Sequence, residues 1–341
     1  MSSTTTSTST PTSTQPTRTS TPSTTAATTP LPPRTGDQYT ISHGRYRAVI
    51  TEVGATLRIL TCDGVDVTVP LGADDIVSCC HGQLLIPFPN RIAHGTYTFD
   101  GTTYQLPINE PARDNAIHGF ARDQYWTLVR LTERDVTLAW RMPPVSYYPF
   151  DIYVTATYTL DDDGLHVRVR AHNLGATAAP WALAMHPWIA NGFSGYGDEI
   201  DADNARCTLE IAADTHVCVN DNLIPTGTEP VDGTKFDFRT PRALTEQPYD
   251  DALTDVHHDA SGNTAAVLTR PDGMRVRVGG DGTITSFQVC TGTGFPPDQH
   301  PAGVAVEPQT AYANAFATGV DLIRLEPGST SETHMFIGVL D

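Results

Sequence analysis

The chain has 341 residues, with 21 basic and 39 acidic side chains, a formal net charge of -18 and a sequence pI near 4.9. A surface this acidic repels phosphate backbones and anionic headgroups. Nucleic acid and membrane are therefore excluded as expected partners, and a neutral or cationic small molecule is favoured. At 39% hydrophobic and 18% charged, with 27 Gly and 26 Pro, the composition is that of a soluble globular protein rich in turns.

Of the first 30 residues 21 are Ser or Thr, broken by Pro11, Pro16, Pro22 and Pro30 and followed by Leu31-Pro32-Pro33. A tract with so few apolar side chains cannot offset its ordering entropy, so residues 1–36 are expected to be a disordered tail and residues 37–341 one globular domain. The tail lacks the apolar run of roughly 7–15 residues that an export signal needs, and no stretch approaches the roughly 18 apolar residues of a membrane span. A cytoplasmic location is expected, with a glycosylated stalk as the alternative for such a composition. Six cysteines (Cys62, Cys79, Cys80, Cys207, Cys218, Cys290) are too few and too irregular for a disulfide scaffold, and no CxxC pair occurs. All are expected to be reduced, with no metal centre.

Short alternating runs follow in chain order: Tyr46 to Val53, Asp135 to Trp140, Tyr153 to Leu160 and Leu165 to Arg170. Their period of two and their β-branched content predict strands buried on one face. Asp100-Gly101, Asp162-Asp163-Gly164, Asp272-Gly273 and Asp281-Gly282 are turn signals, and Asp-Gly between alternating runs predicts a hairpin. No helical period persists over three turns, no GxGxxG or GxxxxGK[ST] segment occurs, and no repeat is visible. The expected fold is all-β, one large antiparallel sandwich.

Four stretches break the alternation and carry candidate chemistry. In Leu85-Ile86-Pro87-Phe88-Pro89-Asn90-Arg91 a guanidinium follows two prolines, and it suits either a ligand oxygen or a structural carboxylate. Pro107-Ile108-Asn109-Glu110-Pro111 leads to Asn115-Ala116-Ile117-His118-Gly119, where a glycine beside a histidine permits close backbone approach to a ligand. His186 stands between Trp181 and Trp188, which suggests either a carbohydrate site or an aromatic core. Glu307, in Val306-Glu307-Pro308-Gln309-Thr310, precedes a proline at the end of an apolar run. On spacing alone that is an edge-strand charge; in a cavity, burial would raise its pKa toward that of a general base.

In this order, and with Gly233-Thr234-Lys235-Phe236-Asp237-Phe238-Arg239 between the third and fourth, these stretches resemble the aldose 1-epimerase (mutarotase) family over about residues 40–340. The resemblance implies a large antiparallel β-sandwich (galactose mutarotase-like supersandwich) holding a sugar in an open cleft. It implies a catalytic acid at His186 and base at Glu307; a carboxylate and an imidazole on opposite sides of a sugar can open and close its ring without a metal or nucleotide. Sugar-binding positions would fall on Arg91 and His118, with Asn90 beside them, and on Asp250, with Asp251 the next choice. Where many members have Pro-Tyr after the catalytic histidine, this chain has Pro187-Trp188, so Trp188 is expected at the sugar, either stacking on it or narrowing the choice of substrate. The activity implied is interconversion of α and β anomers of a free hexose by a monomer or homodimer, with no cofactor. A hexose-6-phosphate 1-epimerase and a non-catalytic carbohydrate-binding module are the alternatives, and glycoside hydrolysis is a weaker third.

Overall fold

The computed structural model describes residues 1–5 and 31–341. The disorder expected for residues 1–36 falls mainly on residues 6–30, which lie outside the described residues. One compact unit runs from Pro33 to Asp341. Its first residues are held locally. The Thr35 hydroxyl donates to the Ala73 carbonyl at 2.7 Å and its N–H donates to the same oxygen at 3.3 Å, which draws the chain onto the domain before residue 37.

Strand formation follows the alternation. In Ile152–Asp161 the residues Ile152, Val154, Ala156, Tyr158 and Leu160 are buried, and Tyr153, Thr155, Thr157 and Thr159 point outward. Gly164–Asn173 pairs with it in full antiparallel register around the Asp162-Asp163 turn, burying Leu165, Val167, Val169 and Ala171. These strands lie within a nine-stranded antiparallel sheet that also contains Thr127–Leu131, Asp135–Met142, Thr330–Leu340, Arg275–Gly280, Thr264–Thr269, Thr208–Ile211 and Arg242–Ala243. Its outer face is polar: Arg168 and Arg170 both reach Glu332.

A second large sheet runs Pro225–Pro230, Ala213–Val219, Asp250–Val256, Ser286–Cys290, Gly303–Gln309, Ala184–Met185 and Leu84–Leu85, with Trp188–Ala190 also paired to Gly303–Gln309. One continuous core joins the sheets, holding Val154, Val167 and Val278 from the first with Phe287, Val289, Val304 and Val306 from the second. The architecture is the antiparallel sandwich expected. A four-stranded sheet, Gln38–His43, Tyr46–Thr51, Leu57–Cys62 and Val65–Asp66, adjoins it.

Three of the four Asp-Gly signals are hairpin turns: Asp100-Gly101, Asp162 to Gly164, and Asp272-Gly273. The fourth is not. After Asp281-Gly282 the chain leaves the nine-stranded sheet for Ser286–Cys290 in the other. Asp281 instead anchors the crossover, its carboxylate accepting from the Thr283 N–H at 3.0 Å and the His334 N–H at 3.0 Å. All six cysteines are unpaired. Among the described residues no helix is long and apolar enough to cross a membrane.

Candidate active site

The strand Gly303–Gln309 is central, which overturns the edge-strand reading of Glu307. On one side Gln288 stands opposite Glu307 and Cys290 opposite Ala305. On the other side the neighbour is interrupted: Ala184 pairs with Gln309, Trp188 pairs with Ala305, and His186-Pro187 lies between. Continuing that register across the gap sets His186 opposite Glu307. Facing residues of antiparallel strands project to the same side, and His186 Nε2 lies 3.3 Å from Glu307 Oε1. The proline after Glu307 fits the same gap. Val306 donates toward the interrupted neighbour, to Pro187 O at 3.3 Å, so the N–H that Pro308 lacks would have pointed there too.

The register extends one strand further, with Asp250 opposite Cys290 and Ala252 opposite Gln288. The floor of the site is therefore two rungs of one sheet face: His186, Glu307, Gln288 and Ala252, then Trp188, Ala305, Cys290 and Asp250. Alternation turns Asp251 to the other face, where it meets His216 at 3.1 Å, so Asp250 is the carboxylate of the pair that lines the cleft. Gln288 donates to Asp250 Oδ1 at 2.7 Å.

The wall comes from the proline-rich stretch and from Asn115–Ile117, which pairs with Arg91–Ala93. The Arg91 fork closes on Glu110, Nε to Oε2 at 2.9 Å and an amino nitrogen to Oε1 at 3.1 Å. Its remaining amino nitrogen lies 3.3 Å from Asn90 Oδ1 and 3.8 Å from Asp250 Oδ2. Two donor groups of the arginine are therefore fixed by a structural carboxylate, and one is left beside the cleft. Asn90, at φ 52°, is spent on its neighbours. Its side chain accepts from the Arg91 N–H at 3.0 Å, and its own N–H donates to His118 Nδ1 at 3.1 Å. That second bond makes Nδ1 the acceptor of His118 and leaves Nε2–H as its donor. Gly119, at φ 63°, is obligatory: a Cβ there would sit 2.0 Å from the Ile86 carbonyl oxygen.

Cavities of about 440 and 530 Å³ lie elsewhere on the molecule, but among the described residues the cleft alone, at about 480 Å³, brings Asn90, Arg91, His118, His186, Trp188, Asp250 and Glu307 together. Trp188 lies at the floor of the cleft. Its indole is fully buried, its N–H donates to Cys79 O at 3.1 Å, and Phe295 packs against it, so it braces the floor rather than offering a stacking face. Trp181 is likewise fully buried in the core. The partly exposed aromatic ring of the cleft is Phe295, and sequence reasoning missed it, as it missed Gln288. A glutamine inside the apolar run Ser286-Phe287-Gln288-Val289-Cys290 was the available signal.

Burial sets the protonation of the central pair. Desolvation pushes the Glu307 carboxyl well above the usual carboxylate value; Asp250 adds to the rise and Arg91 opposes it. Desolvation also pushes His186 down to about 3. Both effects favour the uncharged forms, and the 3.3 Å contact lets the pair hold one proton between a carboxyl and an imidazole. His118 is held well below its ordinary value by burial, then by His186, Arg91 and Arg122.

Comparison with known proteins bears on this fold directly. The profile of the aldose 1-epimerase family matches residues 37–337, and the chain belongs to that family. YihR of Escherichia coli K12, an uncharacterized protein, is 30% identical over 298 residues, covering 86% of this chain and 90% of its own. Human galactose mutarotase is 33% identical over 228 residues, 60% of this chain and 64% of its own. Among solved structures, a galactose mutarotase-like protein of Clostridium acetobutylicum superposes with a TM-score of 0.76 at 19% identity, covering 89% of this chain and 94% of the other, which is a likeness of fold.

Proposed function

We propose that the protein is an aldose 1-epimerase that interconverts the α and β anomers of a free hexose, with Glu307 as base and His186 as acid. The observation that carries this reading is the cross-strand contact of the two groups, 3.3 Å apart and nearly excluded from water at the floor of the cleft. They stand side by side, not on opposite sides of a sugar as the chemistry alone suggested. That suits the reaction, because O1 and the ring oxygen O5 are both bonded to C1 and so are neighbours themselves. Proton transfer within the pair yields a carboxylate and an imidazolium. Glu307 takes the O1 proton as the C1–O5 bond breaks, and His186 delivers its proton to O5. After rotation about C1–C2 the roles reverse and the ring closes on the other face. The His118 Nε2–H and the free Arg91 nitrogen polarise sugar oxygens, Asp250 accepts from hydroxyl groups, and Asn90 holds the first two in place. Cytoplasmic action accords with six unpaired cysteines.

A hexose phosphate is the second reading, because Arg91, Arg113 and Arg122 all line the cleft. Glu110 engages the first two, and only Arg122 pairs with a well-exposed carboxylate, Asp123 at 3.4 Å. With Glu110 and Asp250 counted, the charges largely balance, which favours an uncharged sugar. Anomer-exchange NMR with glucose, galactose and glucose 6-phosphate separates the readings. Faster exchange of the free hexoses is expected, preference for the phosphate would replace the first reading with the second, and acceleration of none would leave a binding module.

A further inference from the structure

Beyond the cleft, at the edge of the same sheet, a second group of chemically capable side chains takes no part in sugar chemistry. The strands Ala213–Val219 and Pro225–Pro230 form a hairpin in which His216 stands opposite Glu229 and Cys218 opposite Gly227. His216 and Cys218, two residues apart, share a face with Glu229. One ligand atom from each, an imidazole nitrogen, a thiol sulfur and a carboxylate oxygen, lies within 4.8 Å of the others, and no other such trio occurs among the described residues. His216 Nδ1 is 2.9 Å from Glu229 Oε1. Its other nitrogen, Nε2, is 3.1 Å from Asp251 Oδ1. The Phe236 ring stacks on the imidazole, with centroids 3.5 Å apart and planes at 12°, and fixes its orientation.

We propose that His216, Cys218 and Glu229 bind a divalent cation of the zinc class, with Asp251 orienting the histidine from behind. The donor set is the nitrogen, sulfur and oxygen mixture that zinc accepts, and bond lengths of about 2.0–2.3 Å place tetrahedral ligand atoms roughly 3.3–3.8 Å apart. From a spacing within 4.8 Å, the cluster reaches that arrangement by movements of at most about 1–1.5 Å. A carboxylate on the far nitrogen of a ligating histidine is the usual outer support of such sites: it keeps the proton on Nε2 and turns Nδ1 to the metal. The cation would replace the Nδ1 proton that now faces Glu229 and the thiol proton of Cys218, so two protons leave for each ion bound. Water would complete the coordination on the open side, where Glu229 is exposed. Asp251 also accepts the Asp250 N–H at 3.0 Å, so the ion would stiffen the backbone beside the cleft without entering it.

The test uses the full chain, stripped with a chelator and titrated with Co²⁺ as a spectroscopic probe and then with Zn²⁺. One ion per chain is expected, with the strong visible bands of tetrahedral cobalt and a near-ultraviolet thiolate-to-cobalt band. Cys218→Ser should abolish the thiolate band and weaken Zn²⁺ binding at least ~10-fold, Glu229→Gln should weaken it similarly, and Asp251→Asn should weaken it ~10–100-fold. Mutarotation by stripped Cys218→Ser should match the stripped parent, which separates this site from the fate of the catalytic proposal. Absence of a thiolate band in the parent would overturn the site and leave His216 as part of an ion-pair network. So would equal Zn²⁺ affinity in Cys218→Ser and Glu229→Gln variants that retain the parent's melting temperature.

Discussion

His186 and Glu307 are ordinary residue types given unusual protonation by the strand gap that buries them together. The folded Glu307 value lies above its ordinary 4.5, so between the two the folded state holds a proton that the unfolded state has released. Stability therefore falls as pH rises through that window. His186 has the opposite sign: from about 3 to 6.5 the unfolded state holds a proton that the folded state lacks, so its contribution is lost as pH falls through that window. Glu307→Gln is expected to melt a few degrees above the parent at pH 8 and to lose that advantage at pH 4, as followed by circular dichroism. Because the pair works with one proton, the rate should show a broad bell. Its acid limb should lie near the depressed His186 value and its alkaline limb above the ordinary carboxylate range. A rate that climbs from pH 5 to 8 along an unperturbed histidine titration would contradict the pairing. For Arg91→Lys, loss of the two-point grip on Glu110 should raise KM about tenfold or more in steady-state assays, since an ammonium cannot reproduce the fork.

At the scale of elements, the segment Ile86 to Arg91 and the turn at His118-Gly119 work as one unit, joined by bonds from the His118 N–H to Asn90 O at 2.9 Å and from the Phe120 N–H to Ile86 O at 2.6 Å. Gly119→Ala should lower the melting temperature by several degrees and depress activity with it. Its Cβ meets a backbone oxygen at a positive φ, where strain alone costs ~1–3 kcal/mol. An unchanged melting temperature would show that the turn can shift. These elements were only partly legible in the sequence. The runs from Asp135, Tyr153 and Leu165 lie within strands because one face of their sheet is wet and the alternation survives. Ser286–Cys290 and Gly303–Gln309 are buried along their whole length, one face in the core and the other in the cleft, so no alternation marks them. That is why Glu307 read as an edge charge and Gln288 was overlooked. Likewise, tryptophans flanking His186 indicated an aromatic neighbourhood, but nothing in their spacing distinguished a sugar platform from buried packing.

For the whole molecule, composition and turn signals were enough for a single antiparallel sandwich, and the ordered motifs were enough for its family. Thr35 and Gly36 look like more of the Ser/Thr/Pro tract in sequence, and only the Ala73 carbonyl that receives Thr35 ties them to the sandwich. Truncation through Pro32 should leave the melting temperature of the sandwich within about 1–2 °C of the parent, whereas truncation through Gly36 should lower it by more, as one buried hydrogen-bonding residue is lost. In the proposed reaction one sheet face supplies an acid and a base to an anomeric carbon. That reaction is tested most directly by polarimetry of freshly dissolved α-D-glucose and α-D-galactose at neutral pH, with the parent, Glu307→Gln and His186→Ala compared above the spontaneous rate. The account predicts acceleration of at least one sugar by the parent and a loss of about 10²–10⁴-fold in each variant. Acceleration that persists in both folded variants would contradict it.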